Sequence, residues 1–196
     1  MMVNWIDAAH ERVNTYNWLD TQPSIELIES ILQELHDYSP SKQRLVRYEV
    51  VAYKNDDEEK RNKIYRAHAV DHTDTARHNP QTLAPWLLFF KKRDISHTNH
   101  PWRDEDYYMD IGIAVSTIIY SASDKGLDTG MTRCINYDDL MIEAIGFVPE
   151  MTIGIGYRDS ATEYMCPYYN KMVPIVNSDE NQKPEMVKYI TLSIDK

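Results

Sequence analysis

Seven histidines and two cysteines are the chain's candidate metal ligands and nucleophiles. His68, His72 and His78 lie close together, and His97 and His100 follow. His68 and His72 stand four apart with Asp71 between them, a spacing that would place two imidazoles on one helix face, as a metal site requires. The Thr-Asp-Thr that follows, and Asn79-Pro80 further on, are turn chemistry and point to a loop instead. No metal is expected. Cys134 beside Arg133 would suit a low-pKa thiol, although a buried structural cysteine is the commoner case. Cys166 is distant, and two thiols without a metal-ligand pattern read as reduced. No Ser/His/Asp or Cys/His set offers a side-chain nucleophile. The strongest basic cluster, Lys42, Arg44 and Arg47, is too short for a duplex-binding face. It could serve one small anion, and its plainer reading is a solvated loop edge.

The whole chain limits what such residues can meet. It has 196 residues, enough for one domain with a real core. The formal charge of −10 repels phosphate backbones, so no nucleic-acid partner is expected. Asp7 and Glu11 interrupt the early apolar residues, so no signal peptide is apparent, and no apolar run is long enough to span a membrane. The expected location is cytoplasmic.

The elements that must position these residues follow from periodicity. Residues 3–17 read as a first helix. Pro23 and Ser24 open a second, whose stripe of Ile25, Ile28, Ile31 and Leu35 ends near Tyr38. Residues 47–53 read as a strand, 55–63 as a charged loop leading to a short helix, and 84–91 as a strand covered on both faces. Residues 94–106 read as a loop. Residues 107–125 carry both strand and helix patterns; their length and Gly126 decide for helix. Residues 138–145 give a further helix, 151–157 and 188–194 two more strands, and 161–170 an aromatic loop. The class is α+β.

Four segments then fall in a telling order: Ser39-Pro40-Ser41-Lys42-Gln43 between helix and strand, Ala84-Pro85 before the apolar strand, Asp110-Ile111-Gly112-Ile113-Ala114 running on to Gly126-Leu127-Asp128-Thr129-Gly130, and Ile153-Gly154-Ile155-Gly156-Tyr157. In order and spacing, over residues 25–157, the chain resembles the flavin nitroreductase family, and its wording is closest to divergent bacteriophage-type members. The resemblance implies a single nitroreductase-like domain over 1–196 with a C-terminal arm from about 180: a mainly antiparallel sheet flanked by helices. It implies a homodimer formed through the helix 107–125, with strand 188–194 reaching the partner's sheet. The implied activity is an FMN-dependent NAD(P)H oxidoreductase, reducing nitroaromatic, quinone or related small acceptors by hydride transfer through flavin N5, with NADH or NADPH as reductant.

The cofactor-binding positions carried over are Arg12, Asn14 and Tyr16, where the family has Arg-x-Ser-x-Arg. To these the resemblance adds Pro40, Ser41, Lys42 and Arg44 in the Pro-Ser loop, Thr129 and Gly130 in a turn whose amides approach the flavin ring, and Lys183 as a C-terminal cation. Trp102, Tyr107 and Tyr108 fall where the family walls the flavin; stacking on substrate and plain core packing both fit them. This chain departs from the pattern in two places. Only Arg12 of the phosphate motif is retained, and Arg44 stands where an Asn usually touches the flavin. Those departures support an alternative, a dimer of the same fold that has lost tight flavin binding and acts as a non-catalytic binding protein.

Overall fold

The computed structural model describes residues 14–40, 46–69, 78–93 and 104–159, with the backbone of two short strands beyond them. Helix α1 (Ile25–Tyr38) starts where Ser24 Oγ accepts the Leu27 N–H, and its stripe of Ile28, Ile31 and Leu35 is buried. Strand β1 (Tyr48–Lys54) follows, then helix α2 (Glu58–Ala67), capped by Asp57 accepting from the Lys60 N–H at 3.1 Å. The helix therefore begins inside the charged run, because Asp57 supplies its cap and Glu58 and Glu59 favour its positive end. A 3-10 turn (Pro80–Leu83) leads into β2 (Trp86–Lys92). The long helix α3 (Asp104–Asp124) ends at Gly126, whose φ of 72° only glycine adopts freely, with the Leu127 N–H bonded back to Ala122. Then come β3 (Asp128–Thr132), α4 (Asp138–Ile145), β4 (Met151–Gly156) and the hairpin β5 (Tyr164–Cys166) and β6 (Lys171–Val173).

The main sheet has the order β1-β2-β4-β3 with every neighbouring pair antiparallel. Strand β2 is buried on both faces, as its unbroken apolar run requires. Trp86, Leu88 and Phe90 pack with α1 and α3; Leu87 and Phe89 pack with Ile64, Ala67, Met141 and Ala144 of α2 and α4. Each such aliphatic or aromatic side chain contributes about 1.5–3 kcal/mol by leaving water. The result is the expected α+β architecture, a sheet between two helical layers.

Three sequence expectations are corrected. Residues 14–17 are not the end of a helix: Asn14 is bridged to Thr129, and the chain there is held by the sheet. Thr129 and Gly130 lie in a strand rather than a turn, paired with Ile155 and Gly154. The aromatic stretch 161–170 contains a strand, β5. The expected strand 188–194, the C-terminal arm and most of the 94–106 loop fall outside the described residues. Among the described residues no helix is long and apolar enough to cross a membrane.

Candidate functional site

Asn14, Tyr16, Thr129 and Gly130 are brought together at the outer edge of β3. The Thr15 N–H donates to the Thr129 carbonyl at 2.9 Å, and the Met131 N–H donates to Asn14 Oδ1 at 2.8 Å. Asn14 Nδ2 donates in turn to the Tyr16 hydroxyl at 3.2 Å. The Asn14 side chain thus completes the ladder of β3 as a further strand would. Its second amide N–H remains a donor. Thr129 is buried, and a side chain on Gly130 would overlap the Thr15 carbonyl oxygen and lie 2.9 Å from Gln81 Cγ. Gly130 therefore admits the chain's own backbone rather than an outside ring. Trp18 extends the same cover over Gly154 and Gly156, with its indole N–H bonded to the Pro80 carbonyl at 3.1 Å.

The other candidates lie elsewhere. Pro40 is exposed just past the C-cap of α1, where Ser39 Oγ stands 3.5 Å from the Tyr48 hydroxyl. Arg47 is no solvated loop edge. It is 1% exposed and its Nη1 donates to Asp110 Oδ2 of α3 at 2.8 Å, with Asp110 3% exposed. Its positive charge is spent inside the molecule. Arg12, Ser41, Lys42, Arg44 and Lys183 lie outside the described residues. Asp110 was legible only as part of a helix, because its partner is 63 residues away and no local pattern links them.

The rungs of the sheet separate these groups. Thr129 pairs with Ile155, Ile155 with Trp86, and Trp86 with Lys54. Arg47 precedes the opposite end of β1, beside the Tyr48–Lys92 rung. At ~4.8 Å per strand and ~3.3 Å per residue, Arg47 and Thr129 sit at diagonal corners roughly 25 Å apart. One small ligand in a single chain cannot touch both.

The histidine and aromatic candidates resolve differently. His68 is fully buried, with Nδ1 2.8 Å from the Ile64 carbonyl and Nε2 2.9 Å from Thr152 Oγ1. Burial pushes its pKa down to about 4. It is a core residue, and among the described residues no group of three His, Cys, Asp or Glu could hold a metal. Tyr107 is buried with Lys92 Nζ 5.2 Å over its ring; Tyr108 is exposed with the Arg133 guanidinium 5.3 Å away. Tyr107 thus takes the core alternative, and Tyr108 stays open to solvent.

No family model matches this chain, and no curated protein does. Solved structures do. A nitroreductase family protein from Clostridium difficile 630 is 18% identical, covering 97% of this chain and 100% of its own, with a TM-score of 0.66. Nitroreductase A from Vibrio parahaemolyticus is 16% identical over 96% of this chain and 83% of its own, with a TM-score of 0.67. An FMN-dependent nitroreductase from Clostridium difficile R20291 is 20% identical over 79% and 87%, with a TM-score of 0.60. With the sheet order, the two helical layers and the long α3 already in place, these likenesses make the chain a divergent protein of nitroreductase-like fold.

Proposed function

We propose that this protein is an FMN-dependent NAD(P)H oxidoreductase acting as a homodimer, reducing nitroaromatic, quinone or related small acceptors. The observation that carries the proposal is the diagonal separation of the candidate cofactor residues. Pro40, the described member of the Pro-Ser segment, follows Ser39 near the Arg47 corner, and Asn14, Tyr16 and Thr129 occupy the other. Both groups serve one flavin only if a second copy brings its loop to the first copy's β3 edge.

Helix α3 offers the surface for that pairing. Met109, Gly112, Ser116 and Tyr120 lie exposed at three- and four-residue spacing. The hydroxyls of Ser116 and Thr117 are bonded to their own helix, to the Gly112 and Ile113 carbonyls at 3.0 Å each, so burying this face leaves them satisfied. Two such helices packed antiparallel exchange the ends of the molecule.

The donor set suits an anionic cofactor. Among the described residues Asn14 keeps a second amide N–H at the β3 edge, with Arg12 two residues before it in sequence, and Lys42, Arg44 and Lys183 are the cations that the resemblance adds for the phosphate. When bound, FMN supplies hydride transfer through its N5. The chain then binds, orients and shields it, which explains why no side-chain nucleophile is needed.

The test is the absorbance of the purified protein, incubated with FMN and freed of excess by gel filtration. The expected result is a flavin spectrum co-eluting at twice the chain mass of 23.0 kDa, bleached by NADH or NADPH. Flavin and dimer should be lost together on dilution. A dimer that retains no flavin would transfer the assignment to the non-catalytic alternative, and flavin held by a monomer would refute the composite site.

A further inference from the structure

Strands β2 and β3 are each antiparallel to the β4 that lies between them, so both finish at the same end of the sheet. Lys92 is the last residue of β2, and Arg133 directly follows the last residue of β3. Helix α3 opens at that end, and its first turns set Tyr107 and Tyr108 between the two cations. Lys92 Nζ stands 5.2 Å over the Tyr107 ring, and the two tyrosine rings lie 5.2 Å apart at 59°. The Arg133 guanidinium completes the row, 5.3 Å from the centre of the Tyr108 ring. A guanidinium can lie on an aromatic face and still use its in-plane N–H groups. Arg133 is fixed further by its Nε, which donates to the Glu150 carbonyl at 3.2 Å. Among the described residues, nothing bonds its two terminal nitrogens and no carboxylate pairs with it. That sets it apart in a chain of net charge −10, where Lys54, Lys63 and Lys125 each hold a carboxylate. Both Arg133 and Tyr108 face solvent, Tyr108 with 47% of its surface exposed.

We propose that Arg133 and Tyr108 form a binding site for a small aromatic carboxylate. The two terminal nitrogens of Arg133 present a planar fork that matches a carboxylate, and the exposed Tyr108 ring offers a surface for the ligand's own ring. Lys92 and Tyr107 stand behind the pair, adding positive potential and holding Tyr108 in place. The site needs no flavin, so it stands apart from the oxidoreductase reading.

The experiment is an NMR titration of the full-length protein with benzoate, benzamide and cyclohexanecarboxylate. Benzamide keeps the ring without the charge, and cyclohexanecarboxylate keeps the charge without the aromatic face. Benzoate should bind about tenfold more tightly than benzamide, because only the carboxylate makes charge-assisted bonds to the fork. It should bind about fivefold more tightly than cyclohexanecarboxylate, through the ring contact, and its affinity should fall as salt is raised. Arg133→Gln should weaken benzoate about tenfold and leave benzamide unchanged. Tyr108→Leu should weaken benzoate about fivefold and abolish its advantage over cyclohexanecarboxylate. Arg133→Lys, which keeps the cation without the fork, should fall between wild type and Arg133→Gln. Both side chains are exposed, so the variants should melt with the wild type, and a change in benzoate affinity then reports the site rather than the fold. Equal affinity for benzoate and benzamide, an Arg133→Gln variant that binds benzoate as the wild type does, or a wild type that titrates with none of the three would each overturn the proposal.

Discussion

His68 shows how a residue that suggests chemistry can be claimed by the core. Its spacing from His72 fits a metal pair, yet the fold places its ring between the Ile64 carbonyl and the Thr152 hydroxyl. The neutral tautomer with Nδ1–H donating to Ile64 and Nε2 accepting from Thr152 satisfies both contacts. With a folded pKa near 4 and an unfolded one near 6.5, the unfolded chain takes up a proton that the native state refuses. Stability therefore falls as pH drops from about 6.5 to about 4, by about 3 kcal/mol in all, and this contribution changes no further below that. Urea titrations near neutrality and near pH 5 should show the decline, and His68→Asn should show a smaller one. An equal decline in the variant would mean that other groups carry it. The sequence shows a histidine and a turn; the four-stranded sheet that delivers Thr152 to it cannot be read from neighbours 84 residues apart.

At the scale of elements, legibility depended on whether a segment's pattern is its own. Helix α1 is plain because the Ser24 cap and the apolar spacing are local to the segment, α4 because Gly146 closes it, and α3 because its length leaves no alternative. Strand β3 was missed: Asp-Thr-Gly-Met-Thr has no strand alternation to detect, and it is a strand because β4 on one side and Asn14 on the other complete its ladder. Residues 14–17 read as helix for the complementary reason, since their extended form comes from the sheet they touch. The candidate site sits on these two tertiary-determined pieces, so its residues could be named from resemblance while their arrangement could not. Helix α3 carries its own test. A Cβ at Gly112 meets nothing within 4 Å, so Gly112→Ala should leave the single chain intact and raise helix stability by up to about 1 kcal/mol. Gly112→Trp should also fold, and if the proposed dimer pairs through this face, light scattering should show a monomer where the wild type is a dimer. A dimer that survives Gly112→Trp pairs through some other surface.

For the molecule as a whole, the three covered glycines set a sequence of events. Gly130 on β3 leaves room for the Thr15 carbonyl, while Gly154 and Gly156 on β4 leave room first for the Gln81 carbonyl and Pro85 and then for the Trp18 ring. That socket does not exist on either strand alone; it forms when β3 and β4 pair in register. Segment 14–19 consequently has its docking surface only once the sheet is built, and the expected order is that it joins after the sheet. Truncation of Trp18 to Ala should speed unfolding and leave the folding rate nearly untouched, as seen in stopped-flow chevrons. A matching fall in the folding rate would place the segment in the nucleus instead. The corner where Asn14 meets Thr129 is then the youngest part of the native state on the clock of folding and the first to be surrendered. Its occupation by a ligand would act as a latch, lengthening the lifetime of the folded chain more than it hastens its formation.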